Sequence, residues 1–267
     1  MDHDRLDGIT FSHGATASRR GFARALAGGG LATLFSSAFG ALAADAKKKR
    51  DKKRKTTTVT RTVRGPVTQT FTSTESIIVP NGAPVTLKGP AGPYPAAIEV
   101  SGFPNGVITD VDLLLLDFAH RIPEDVDILL SAPNGRQALL MSDVGSTTQV
   151  ANINLTLDDE ADSSLPVSRL NSGDFRPTDL DQAGADLDTF DAPAPAPDGS
   201  VALSTFDGAD PNGTWRLFVM DDVSGDAGAI GGWALRITAD VDTGTVDEQV
   251  PVIKDKQKGK KHKKGRK

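Results

Sequence analysis

The sequence predicts an all-β sandwich of about 170 residues over positions 68–240, and three observations carry that prediction. Apolar and polar residues alternate with period two in several short runs. Pro-Asn-Gly triplets separate the runs, and no convincing amphipathic-helix pattern interrupts them.

In chain order, the first strong run is residues 107–113, rich in Val and Ile, continuing into Leu114 to Phe118. Val126, Ile128 and Leu130 then alternate with Asp127 and Leu129. Trp215, Leu217 and Val219 alternate with Arg216, Phe218 and Met220, and Trp233, Leu235 and Ile237 with Ala234, Arg236 and Thr238. Such runs are strands with one face buried, and both Trp residues are expected in the core. Turns follow Pro80, Pro104, Pro133 and Pro211, each Pro leading an Asn-Gly pair that tolerates positive φ. Their unequal spacing argues against a repeat array. Residues 158–200 are irregular and acidic, and the alternating Pro-Ala stretch at 192–197 is expected to be extended.

The chain has 267 residues and no Cys, which excludes a disulfide-stapled miniprotein. Its net charge of −5 hides segregation. Residues 65–251 hold seven Lys/Arg against 29 Asp/Glu, an excess of 22 negative charges, whereas residues 47–64 hold ten basic residues and one acid, and residues 254–267 nine and one. An acidic body therefore carries two basic tails, both expected to be disordered because they lack an apolar period. This gives a basic segment at 47–67, the sandwich at 68–240, and a linker with a basic tail at 241–267.

The first 46 residues read as an export signal. Adjacent Arg19 and Arg20 precede Phe22, a short Gly-rich apolar run and small residues at 41–46, a pattern that resembles a bacterial twin-arginine signal peptide. The run is too short to anchor a spanning helix. The mature protein is expected outside the cytoplasmic membrane, secreted or associated with the envelope, with no transmembrane helix left after cleavage.

Within the acidic body four stretches share one resemblance. His120 is followed after four residues by Asp125, and then by Val126, Ile128, Leu130, Pro133 and Gly135. Ser172-Gly173-Asp174-Phe175 forms a central motif; Phe206-x-Gly208 precedes Asn212-Gly213-x-Trp215-x-Leu217-x-Val219-x-Asp221; and Asp226-x-Gly228-x-Ile230-x-x-Trp233-x-Leu235-x-Ile237 closes the series. Over about 130 residues this order resembles the P domain (P/Homo B domain) of kexin- and furin-like proprotein convertases. The resemblance implies a jelly-roll-like, galactose-binding-like β-sandwich. It also implies association with a subtilisin-like serine endopeptidase, whose catalytic domain this sequence does not carry.

Chemistry is sparse in the residues themselves. Among the four His, only His120 falls in the sandwich, and no Gly-x-Ser-x-Gly elbow presents a nucleophile, so no catalytic residues are assigned and His120 is expected to pack. Zinc lacks ligands and a phosphate loop is missing. Calcium suits the composition, because it takes carboxylate and carbonyl oxygens from loops. Asp221, Asp222 and Asp226 form the best candidate set and Asp110 with Asp112 a second; Asp117 lies near the latter, and Asp125 and Asp127 flank the strand after His120. The tails suit an anionic envelope polymer or lipid headgroups, without base-specific nucleic-acid recognition. The expected function is an exported, non-catalytic binding or interaction module stabilised by calcium, with an unidentified protein or envelope polymer as partner. The alternative is an accessory of the subtilisin-like endopeptidase group, linked to proteolysis without a catalytic domain of its own.

Overall fold

The computed structural model describes residues 55–82, 88–180 and 188–252. The chain divides after Arg54, and all described residues belong to the second unit, Lys55–Lys267. Arg19, Arg20, the small residues at 41–46 and the most basic parts of both tails lie outside the described residues.

Among the described residues, thirteen strands form two sheets. The first has the order β1-β13-β5-β12-β2, with β8 beside β5 and β9 beside β8. Its members are β1 (Thr56–Ser73), β2 (Ile77–Val79), β5 (Val107–His120), β8 (Val150–Leu157), β9 (Gly173–Phe175), β12 (Gly228–Ile230) and β13 (Gly232–Pro251). The second has the order β10-β7-β6-β11-β3, with β4 also on β11. It comprises β3 (Gly89–Pro90), β4 (Ala96–Val100), β6 (Val126–Ser131), β7 (Gln137–Ser142), β10 (Thr178–Asp179) and β11 (Gly213–Asp221). Both sheets are mixed, since β8–β9 and β7–β10 are parallel pairs.

The period-two runs bury their apolar face between the sheets. Trp215, Leu217 and Val219 of β11 and Trp233, Leu235 and Ile237 of β13 are each at most 1% exposed. The Phe206 ring meets Trp215 edge-on at 5.0 Å, and the Trp215 indole N–H donates to the Pro211 carbonyl at 2.9 Å. Large side chains buried in this way contribute roughly 1.5–3 kcal/mol each.

The triplet turns use the backbone freedom expected of them. Gly82, Asn105, Gly135 and Gly213 have φ of 134°, 49°, 85° and 124°. Asn212 also joins two of these turns, because its side chain accepts from the Phe103 N–H at 3.2 Å and donates to the Phe103 carbonyl at 2.8 Å.

The ladder extends beyond the bounds 68–240 expected from sequence. β1 and β13 pair from Thr56↔Pro251 to Ser73↔Trp233, so residues 56–67 and 241–251 are strand. The pairing of β13 with β5 stops at Asp240↔Val107. Beyond that point β1 and β13 form a two-stranded ribbon roughly 30 Å long. Arg64 fastens its base, donating to Asp240 and Asp242 carboxylates at 2.8 Å each and to the Asn105 carbonyl at 2.8 Å. Alternating Thr and Val supply the β propensity that a reading centred on charge overlooks.

The register makes the ribbon two-faced. Val59, Arg61 and Val63 share one face with their partners Glu248, Val246 and Gly244, while Thr58, Thr60 and Thr62 share the other with Gln249, Asp247 and Thr245. Hydrogen bonds Thr60–Asp247 (2.7 Å) and Gln249–Thr58 (2.6 Å) knit the polar face. On the other face Val59, Val63 and Val246 are 41%, 39% and 52% exposed.

Candidate functional site

His120 ends β5 and is 1% exposed. A 3₁₀ turn at Pro123–Asp125 follows and leads directly into β6. β11 runs antiparallel beside β6, placing Asp221 opposite Val126, and β12 returns to pair Gly228 with His120. Asp125, at the end of the 3₁₀ turn, thereby lies close to Asp221, at the end of β11, and Asp226, in the connection to β12, and the last two face the imidazole. Their exposures are 7%, 0% and 3%.

His120 Nδ1 lies 2.8 Å from the Ile122 carbonyl and 3.5 Å from Asp226 Oδ2, and Nε2 lies 3.5 Å from Asp221 Oδ2. Asp221 Oδ1 accepts the Val223 N–H at 3.2 Å, and the Asp222 N–H donates to the Asp125 carbonyl at 3.1 Å. Gly228 permits the close approach of β12: a Cβ there would overlap the Ala119 carbonyl and the His120 ring.

Electrostatics follow from burial and crowding. Burial, then Asp226, Asp222 and Asp221, push the Asp125 carboxyl up to about 7. Burial also raises Asp226, against the opposing pull of His120. For His120, burial disfavours the charged ring, but the Asp221 carboxylate, the Ile122 carbonyl and Asp226 outweigh it and raise its pKa.

Of the acids singled out from sequence, Asp221 and Asp226 both face the His120 ring, and Asp222 follows Asp221 at the start of the connection to β12. The structure places Asp110 and Asp112 elsewhere on β5, Asp112 being roughly 25 Å from His120 along the extended strand. Asp112 is 2% exposed and takes the Arg236 Nε–H at 2.6 Å, so its negative charge is already matched. Asp110 instead lines a small acidic hollow with Asp159, Glu160, Ser204 and Asp207. There Asp159 accepts the Leu203 and Ser204 N–H groups at 3.0 and 2.7 Å. Asp117 is exposed at a break in the β5–β8 register, with φ 52°.

Asp125 is the residue that sequence reasoning noted only as flanking a strand. The signal that could have promoted it is its fixed distance from His120 together with the β6–β11 pairing. Among the described residues, no group of three or more His, Asp or Glu side chains is arranged as a preformed metal site. No described helix is long and apolar enough to cross a membrane.

No protein-family model matches the chain, and no curated protein sequence matches it either. Among the solved structures similar to it are the serine protease of Aeromonas sobria, at 14% identity, and the complex of that protease with the chaperone ORF2, at 17%. Each similarity has a TM-score of 0.32 and covers 66% of this chain but 27% of the other, so the chain spans only part of the length of those it resembles.

Proposed function

We propose that this chain is an exported, non-catalytic P/Homo B-like β-sandwich that binds a partner protein through its β1–β13 ribbon. The ribbon carries the reading. A two-stranded antiparallel ribbon is marginal in water without a third strand or a covering layer. Here the strands alternate so that one face is knitted by Thr, Asp and Gln, while the other presents valines around a single Arg61–Glu248 pair at 3.6 Å. An apolar face with nearly balanced charge suits a protein surface better than an anionic polymer. The burial of His120 supports a non-catalytic role, because its ring has no face open to a substrate.

The P-domain resemblance favours one occupant, the catalytic domain of a subtilisin-like serine endopeptidase supplied by a separate chain. On this reading the sandwich is an accessory to proteolysis. The basic segments outside the described residues would then hold the assembly near anionic envelope polymers by counterion release.

The test is reconstitution with such an endopeptidase domain. The intact mature chain is compared with a V59D/V246D variant, in which both substitutions fall on exposed positions. The affinity of the variant is expected to drop more than tenfold; equal affinity removes the ribbon as the docking element. Envelope association that persists at high salt and without both basic segments removes the tether.

A further inference from the structure

Five buried side-chain atoms without a hydrogen-bond partner gather at one place: His120 Nε2, Asp125 Oδ2, Asp221 Oδ2 and both carboxylate oxygens of Asp226. Elsewhere among the described residues only Gln137 Oε1 and Trp233 Nε1 share that condition. The concentration needs a cause, since buried polar groups are ordinarily paired. A carboxylate taken from water without a donor or counter-charge costs several kcal/mol.

The imidazole cannot meet that demand alone. Its 3.5 Å separations from Asp221 and Asp226 exceed the 2.7–2.9 Å of a strong charge-assisted bond.

We propose that Asp125, Asp221 and Asp226 bind one divalent cation of the hard, oxygen-preferring class to which calcium belongs. The four unpartnered carboxylate oxygens supply half or more of the six to eight ligands such an ion takes, and backbone carbonyls and water complete the shell. Asp221 and Asp226 face different nitrogens of the imidazole rather than a common point, so the site closes on the ion instead of being preformed. The closing piece is the connection after Asp221, where Val223, Ser224 and Gly225 are exposed and Gly225 has φ 127°. This assignment keeps Asp221 and Asp226, adds Asp125 and releases Asp110 and Asp112. It is independent of what docks on the ribbon.

The experiment titrates the chelator-stripped mature chain with Ca²⁺, Mg²⁺, Mn²⁺ and Zn²⁺ by calorimetry and follows thermal melting. One Ca²⁺ per chain is expected, raising Tm by roughly 5–10 °C at a hundredfold excess over Kd. Mg²⁺ should act more weakly. Asp125→Asn and Asp226→Asn should each weaken Ca²⁺ binding at least tenfold, while Asp110→Asn leaves it unchanged. If either variant fails to fold, amide exchange in the wild-type chain decides, with residues 222–227 expected to slow when Ca²⁺ is added. The proposal is overturned by identical melting in chelator and in millimolar Ca²⁺, by preference for Zn²⁺ or Mn²⁺, by loss of binding in Asp110→Asn alone, or by unchanged exchange at 222–227.

Discussion

Arg236 and Asp112 face each other across the β13–β5 ladder, with the guanidinium Nε–H 2.6 Å from a carboxylate that is 3% exposed while the Arg side chain is 44% exposed. The pair is one-sided. Burial raises the Asp112 carboxyl to about 6 even though the Arg236 hydrogen bond pulls the other way. Unfolded, that group ionises near 4, so between about pH 4 and 6 the unfolded chain releases a proton that the folded chain retains, and stability falls as pH rises through this window. Arg236→Met removes the partner of a buried charge and should cost about 3 kcal/mol at neutral pH. It should also extend the pH-dependent loss above 6. Urea unfolding at pH 5 and pH 8 tests this: the deficit must be larger at pH 8, and adding Asp112→Asn must recover part of it.

Asp127 on β6 is a second acid carried into the sheet at a cost. It is 3% exposed, and burial, then Asp188 and Asp222, raise it to about 8 against the Ser142 hydroxyl. The sign is that of any raised carboxyl: stability from the protonated form is complete below about pH 4 and drains away as pH rises towards 8. Asp127→Asn keeps the shape and removes the titration. The variant should be more stable than wild type at pH 9 by about 1–2 kcal/mol, or roughly 3–6 °C in Tm, and should lose that advantage at pH 4. Melting curves that keep the same separation at both pH values exclude this account.

The two-layer fold was legible because its signals are local: Trp215 and Trp233 sit in period-two runs, and the Asn-Gly turns declare their φ. The site was half legible. Asp221 and Asp226 stand out in a Gly-containing connection, but Asp125 joins them only through pairing between β6 and β11, and sequence contains no register. The same gap explains Asp112, whose charge looked available until Arg236, far away in sequence, was placed beside it. The ribbon was concealed for a different reason. Thr-Val alternation at 56–63 follows directly on a run of Lys and Arg, and its strand partner lies nearly 190 positions later.

Gly228 tests the packing around His120 without touching a charge. β12 crosses so close to β5 that a methyl group at this position would strike the Ala119 carbonyl and the imidazole ring together, and backbone cannot yield as a flexible side chain can. Gly228→Ala should cost about 3 kcal/mol. A comparison is Gly65→Ala, where the nearest atom is a Thr243 methyl at 3.6 Å and an ordinary contact results. Denaturant midpoints should separate the two variants clearly; equal midpoints mean that β12 does not press on His120.

The ribbon should be energetically separate from the sandwich. Beyond the Arg64 staple its residues are exposed and touch no third layer, so trimming its valines removes almost no buried area. Val59→Ser with Val246→Ser should therefore shift the global unfolding free energy by no more than about 0.5 kcal/mol. In native-state hydrogen exchange, amides at 57–62 and 245–250 should exchange by local opening, far faster than those of β5, β11 and the paired half of β13. Arg64→Ala should extend that fast exchange inward towards residues 65–67 and 239–241, because the staple to Asp240, Asp242 and Asn105 marks where the ribbon meets the sheet. Exchange at 57–62 as slow as in β5 would show instead that the ribbon is part of the cooperative core and is already covered in solution.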